Sequence, residues 1–271
     1  MRKLWFFDIR VSLFLVCFCL ATNLKAQDTK PKVIAIYPTT DSIPVNILRF
    51  YIQFSAPIQE MDILKHIELL DENNKNITGV FYENQYELWN ENRTKVTLIV
   101  DPGRVKLGLL ANNKMGRAFD EGKNYSLKID SLLLGFNNQP LANSYSKKFT
   151  AVKEDIVPPD TKKWKLSLPI SNTTEPIVID FKDKIDHISA NTLIKIFRDN
   201  KEIKGKMFLQ NHEQKAIFIP YKKFKKGSYQ LIVNYRLEDI AANSVNQVFD
   251  HKLSDLLNTN NQNFIINFRI K

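Results

Sequence analysis

The 271-residue sequence predicts an all-β protein of two tandem sandwiches. Three observations carry that prediction. The order of strand and turn signals is repeated: Pro44-Val-Asn-Ile-Leu-Arg-Phe-Tyr-Ile-Gln-Phe54, His66-Ile-Glu-Leu-Leu70 and Thr78-Gly79 are answered by Glu175-Pro-Ile-Val-Ile-Asp-Phe181, Leu193-Ile-Lys-Ile-Phe-Arg198 and Lys204-Gly205. A second block repeats as well, with Thr94–Val100 before Gly122-Lys-Asn-Tyr125 matched by Lys215–Ile219 before Gly227-Ser-Tyr229. Apolar residues alternate with polar ones in short runs, and Asx-rich turns such as Asp71-Glu-Asn-Asn-Lys75 and Asp199-Asn-Lys201 separate them. A duplicated order of strand, turn and strand reads as two copies of one module, and short alternating strands with frequent turns read as sandwiches.

Residues 1–26 stand apart. Arg2 and Lys3 precede the apolar run Val11–Ala21, and a small residue, Ala26, closes the segment. This is the pattern of a cleavable signal peptide, and the run is too short for the roughly 20 residues of a membrane span. Both cysteines, Cys17 and Cys19, lie inside it, so the processed chain has no disulfide. An acylated Cys17 or Cys19 is the alternative, although Val16 and Phe18 stand where lipid attachment calls for a small residue.

The first module is expected over 27–157. A polar lead-in precedes a strand in which Leu48, Phe50, Ile52 and Phe54 form one face, and Val96, Leu98 and Val100 form another. An insertion, Asp101–Phe119, has no long counterpart in the second copy, which crosses the same gap with Pro220–Lys226. The boundary falls in Ala151–Thr161, where Pro158 and Pro159 cannot donate to a ladder and stiffen the chain. The second module, 158–271, ends on the alternation of Phe264, Ile266, Phe268 and Ile270. Only Gln59–Lys65 and His251–Leu257 have helical character. Each half carries its own core strands, which predicts that each folds alone.

Tyr37-Pro38, Phe54-Ser-Ala-Pro-Ile58 and a later Gly-x-x-Tyr turn resemble the bacterial Ig-like domain first described in S-layer proteins. The second copy is a looser match, and its Leu237-Glu-Asp-Ile-Ala-Ala-Asn243 resembles the Asp-x-Ala-Gly-Asn turn of those domains, with Ala242 in place of glycine. The resemblance implies two tandem Ig-like β-sandwich domains after a signal peptide, in a secreted bacterial protein. It implies no activity, because one fold hosts many functions.

No catalytic signature is present. His66, His187, His212 and His251 never pair at metal-ligand spacing and read as surface or strand-end histidines, no nucleophile elbow occurs, and no cofactor or metal is expected. Asp180, Asp183 and Asp186 are read as lining an exposed strand end rather than as a glycosidase pair. Glu238, Asp239 and Asn243 suit either calcium or a self-satisfied Asx-turn. Glu154, Asp155 and Asp160 offer oxygen ligands near the boundary without diagnostic spacing. Asp41-Ser-Ile43 and Asp130-Ser-Leu132 match a short acceptor triplet for O-linked glycosylation.

Positive charge gives the candidate binding residues. Removing Arg2, Lys3, Arg10, Lys25 and Asp8 from 39 basic and 29 acidic residues leaves 35 against 28, a net +7. Two patches are expected: Arg104, Lys106, Lys114 and Arg117 on the insertion, and Lys222, Lys223, Lys225 and Lys226 before the second Gly-x-x-Tyr turn. Outside the cytoplasm such a surface meets an envelope protein or an anionic glycan rather than nucleic acid. The expected function is non-catalytic: a spacer or accessory subunit of a cell-envelope assembly, with a carbohydrate-binding accessory of glycan uptake or degradation as the alternative. Periplasm, outer-membrane surface and extracellular space are all compatible. Membrane association would come through a partner or a lipid anchor.

Overall fold

The computed structural model describes residues 30–59, 62–84, 86–250 and 261–271. The signal-peptide reading of 1–26 and the helical reading of His251–Leu257 lie outside them. The architecture is all-β, in four four-stranded sheets. The first sandwich stacks β1 (Val33–Tyr37), β3 (Arg49–Phe54), β6 (Lys95–Ile99) and β5 (Leu88–Trp89), in that order, on β2 (Ser42–Pro44), β8 (Tyr145–Val152), β7 (Asn124–Ile129) and β4 (Ile67–Leu70). In the second, β9 (Lys165–Ser167), β10 (Ile177–Asp180), β14 (Lys215–Pro220) and β13 (Gly205–Gln210) form one sheet, in the order β13-β14-β10-β9. The other sheet runs β12 (Lys201–Glu202), β11 (Ile194–Arg198), β15 (Gly227–Val233) and β16 (Phe264–Ile270).

The repeat in sequence is a repeat in topology. The order β1-β3-β6-β5 corresponds to β9-β10-β14-β13, and β8-β7-β4 corresponds to β16-β15-β11. Alternation sets the inner faces: Phe50, Ile52 and Phe54 of β3 and Ile177 and Ile179 of β10 are fully buried. Each sandwich closes around one aromatic triad. Tyr125 stacks on Phe149 and meets the edge of Phe119, with ring centroids 5.6 and 5.2 Å apart. Tyr229 stacks on Phe268 at 5.6 Å and meets the edge of Phe224 at 5.7 Å.

This explains the Gly-x-x-Tyr pattern. Gly122 and Gly227 take positive φ at the turn. The tyrosine hydroxyl then accepts a backbone N–H just upstream, from Asp120 at 2.8 Å or Lys225 at 3.0 Å. Phe224, inside the lysine run, fills the second core.

Helical structure departs from expectation. Of the expected helix Gln59–Lys65, residues 60 and 61 lie outside the described ones, and the rest gives one 3-10 turn, Ile63–His66. Three short helices arise where none is expected: α1 (Pro102–Val105) and α2 (Leu110–Met115) in the insertion, and α3 (His187–Leu193) in the second sandwich. Side-chain caps seed two of them. Asp101 accepts from the Gly103 N–H, and Asp186 accepts from the Ile188 and Ser189 N–H groups.

Candidate functional site

The outer face of the β1-β3-β6 sheet is where the two sandwiches meet, and its residues are polar. Arg49, Tyr51 and Gln53 alternate with the core side chains of β3, so strand geometry places them on the opposite face. Tyr51 is nevertheless only 4 % exposed. Its hydroxyl donates to Asp186 Oδ2 at 2.7 Å, while the other carboxylate oxygen of Asp186 caps α3. Arg49 pairs with Glu238, whose backbone N–H donates to Ser189 Oγ at 2.8 Å. Burial raises the Asp186 carboxyl above the usual carboxylate range against the pull of these donors, and raises the Tyr51 phenol.

His187 continues this seam. Its ring stacks on Tyr37 with centroids 3.7 Å apart, and Nε2 lies 3.1 Å from Lys95 Nζ. Burial, with Lys95 adding, pushes its pKa down to about 3, so the ring is neutral and accepts from the ammonium. At the far side, Glu213 is 1 % exposed and its Oε1 accepts from both the N–H and the hydroxyl of Thr39, each at 2.8 Å. Glu213 is presented by a tight turn in which Asn211, His212 and Glu213 all have positive φ. The Lys147 ammonium is tucked beneath, donating to the carbonyls of Thr39 and Thr40.

The turn Glu238–Asn243 clamps the connection. Asp239 Oδ1 accepts from the N–H groups of Ala241 and Asn243, and Asn243 Nδ2 donates to the Asp155 carbonyl at 2.9 Å. Asn46 of the first sandwich grips the same residue, donating to its carbonyl at 2.7 Å and accepting from its N–H at 2.9 Å. Burial, with Asp155 and Asp183 adding, pushes the Asp239 carboxyl up to about 8. The Asx-turn reading therefore describes these contacts, and among the described residues no group of acids and histidines is arranged to hold a metal ion. Ala242, standing where the resemblance places glycine, has φ 65° and packs into the first core.

Two expectations are corrected here. Asp186 lines no exposed strand end; it is 5 % exposed and joins the sandwiches. His187 is a half-buried seam residue at the start of α3, not a surface or strand-end histidine. Ala242 and Phe249 of the second half pack against the first core, while each half keeps its own core cluster. The boundary acids are engaged as well: Glu154 pairs with Arg117, and Asp160 accepts from the Lys162 N–H.

The two cationic patches fare differently. Arg104 is 7 % exposed, and its guanidinium donates to the carbonyls of Gly116, Gly79 and Arg117 at 3.2, 3.1 and 2.8 Å. It is the internal brace of the insertion and is not displayed. Arg117 is neutralised by Glu154, and Lys106 lies 4.4 Å over the Phe249 ring. Of the four, Lys114 alone is exposed. Lys222, Lys223, Lys225 and Lys226 are all exposed. What the insertion does display is apolar: Leu107, Leu109, Leu110 and Met115 are 56, 43, 68 and 55 % exposed. That cluster escaped the sequence reading, which counted charges there. The spacing of Leu107, Leu110 and Met115 around two helix-forming stretches was the available signal.

A second surface feature lies at the β5 edge of the first sandwich. A groove of about 590 Å³ runs between Asp62–Lys65 and the segment around Tyr82 and Tyr86, which are 50 and 76 % exposed. Trp89 borders it, covered on one side by Arg93 at 4.8 Å and held through Nε1 by Glu87 at 2.6 Å.

No family model matches the chain, and no curated protein matches it. Solved structures similar to it include native alpha-2-macroglobulin from Escherichia coli spanning domains MG0-NIE-MG1, at 11% identity over 76% of this chain and 66% of that chain, with a TM-score of 0.29. Surface layer protein SbsC, domains 1–6, is similar at 11% identity over 97% of this chain and 43% of that chain, with a TM-score of 0.31. The S-layer protein rSbsC(31–844) gives 10% identity over 90% and 41%, also at 0.31. The chain spans less than two thirds of each, and likeness at these scores carries no argument about function.

Proposed function

We propose that this chain is an exported, non-catalytic binding or structural module, a spacer or accessory subunit of a cell-envelope assembly that docks an envelope protein through the Asp101–Phe119 insertion. One observation carries the reading. The insertion holds four large apolar side chains in water on a braced base, and clustered exposed apolar surface of this kind marks a protein-contact site. The seam supports the spacer half of the proposal, because buried hydrogen bonds between the sandwiches oppose hinge motion. Localisation in the envelope rests on the leader reading of residues 1–26.

The test compares two surface variants for binding to envelope extract and for melting temperature. Leu109→Ser/Leu110→Ser/Met115→Ser should lose binding with an unchanged melt. Lys222→Ser/Lys223→Ser/Lys225→Ser/Lys226→Ser should keep it. Retention by the first and loss by the second would move the contact to the lysine run and favour an anionic glycan.

The groove beside Tyr82 and Tyr86 favours the second reading, a carbohydrate-binding accessory of glycan uptake or degradation. Exposed tyrosine rings give flat apolar faces with a polar tip, which suit sugar rings. Titration against a panel of neutral and acidic oligosaccharides, with Tyr86→Ala as control, tests it; a panel without a saturating ligand removes this reading.

A further inference from the structure

A sheet edge is a row of unpaired N–H and C=O groups, and folded proteins blunt such edges with short strands, bulges, proline or charge. Nearly every edge of this molecule is blunted. β5 and β12 have two residues each, β9 has three, and β2 has three and ends on Pro44. β1 carries a register irregularity between Val33 and Ala35. β4 has four residues, with Glu68 paired to Lys128. β13 starts on Gly205 between Lys204 and Lys206.

β16 is the exception. Among the described residues it is the longest edge strand, seven residues in unbroken register with β15 from Gly227↔Ile270 to Val233↔Phe264. It contains no proline and no glycine, and its first five residues, Phe264-Ile-Ile-Asn-Phe268, are uncharged. Its counterpart in the first sandwich, β8, is covered by the parallel strand β2 and by Lys147, which turns inward toward Thr39 and Thr40. Among the described residues no strand pairs with the outer side of β16, and the one backbone contact there lies past its end, where the Lys271 carbonyl accepts from the Ser171 N–H at 3.1 Å.

The strand is also self-complementary. Antiparallel pairing with an identical strand keeps matching faces together only when the two-fold axis passes through a residue. Placing that axis at Asn267 engages all seven residues. It sets Asn267 against Asn267, Ile266 against Phe268, Ile265 against Arg269 and Phe264 against Ile270, so no charge faces a like charge. Asn267 already accepts from Gln230 Nε2 at 3.1 Å, and its own NH2 has no partner among the described residues. Ile265, 53 % exposed, would gain cover from the partner's Arg269 stem.

We propose that the outer edge of β16 pairs with the same edge of a second copy of this chain, antiparallel about a two-fold axis at Asn267. The pairing joins two four-stranded sheets into one of eight strands. A closed two-fold contact also uses up the edge and leaves no template for further growth.

The experiment uses the full chain in a Cys17→Ser/Cys19→Ser background. Sedimentation over a range of concentrations should show a monomer–dimer equilibrium. Ile265→Glu, facing Arg269 of the other copy, should tighten it, and Ile265→Lys should weaken it about tenfold, since opposed charges across strands repel in both symmetric halves. Mild oxidation of Asn267→Cys should give a covalent dimer, because facing residues have Cβ atoms about 5 Å apart. Ile265→Cys should not, its two copies being separated by roughly four residue rises, about 13 Å. A monomer at every concentration, an open-ended series of oligomers, or equal cross-linking at 265 and 267 would overturn the proposal.

Discussion

The two sandwiches share a strand order and an aromatic triad, yet the outer faces of their matching sheets meet opposite surroundings. In the first, the face beside the core carries Arg49, Tyr51 and Gln53 on β3, and its neighbours include Tyr37 and Lys95. The second sandwich covers it. At the corresponding positions β10 and β14 carry Val178, Asp180, Ile217 and Ile219, and on the neighbouring β13 Phe208 remains 48 % exposed. The inner-face pattern is what both copies need to fold. The outer-face residues decide what each copy is pressed against, and in the first copy Arg49 and Tyr51 are placed for Glu238 and Asp186 of the second.

The comparison is tested most strongly at the shared triads. Phe119→Ala and Phe224→Ala each remove a fully buried ring and should each cost about 3–5 kcal/mol in chemical denaturation. If the sandwiches act as one unit, both variants lower the same transition. A variant that splits the curve into two steps would show that the seam transmits little.

Next in size is the seam itself. Asp186→Ala leaves the Tyr51 hydroxyl without its acceptor and α3 without its cap, and should cost about 3 kcal/mol. Asp180→Ala, on the open face and paired with Lys182 and its N–H, should stay within about 0.5 kcal/mol. Equal losses at the two positions would erase the distinction between the faces.

Acid sensitivity separates the faces by sign. Burial holds His187 at about 3 in the folded state, against an ordinary value of 6.5. Between these values the unfolded chain binds more protons, so this group's contribution is complete above pH 6.5 and is lost as pH falls toward 3. His187→Phe keeps a ring on Tyr37 and cannot titrate. Its stability should therefore fall less than wild type between pH 6.5 and 4, by about 3 kcal/mol at most. Asp239 acts in the opposite direction. Its folded value of about 8 exceeds the ordinary 3.8, so stability falls as pH rises between them. Parallel pH profiles for wild type and His187→Phe would mean that the ring is solvated.

The smallest effect belongs to the displayed lysines. Replacing Lys222, Lys223, Lys225 and Lys226 with Ser should change stability by under about 1 kcal/mol, because exposed charges contribute little. Arg104→Ala, the buried member of the other patch, should cost about 2 kcal/mol by stranding three carbonyls. A lysine variant that melts far below wild type would show that the run is structural beyond Phe224.

Much of the fold was legible because it rests on local periodicity. Phe50, Ile52 and Phe54, the Gly-x-x-Tyr turns and the final alternation from Phe264 to Ile270 each announce a strand and its buried face. The seam was not legible. Arg49 and Tyr51 occupy positions that period-two patterning assigns to water, and nothing local distinguishes them from solvated residues once a second body covers the sheet. His187 and Asp186 were hidden for the same reason, their partners lying more than 90 residues away in the chain. The insertion misled in a different way. Its four cations were visible in sequence, but whether a guanidinium faces solvent or braces carbonyls depends on the path of the surrounding backbone. Arg104 does the second.

The buried polar seam should fasten the two repeats into one cooperative body. Scanning calorimetry of the whole chain tests it most directly, by comparing the calorimetric enthalpy with the van't Hoff enthalpy. A single transition in which the two agree is expected, dividing into two in Asp186→Ala. Two resolved transitions in the wild-type chain, each with its own matching enthalpies, would contradict it.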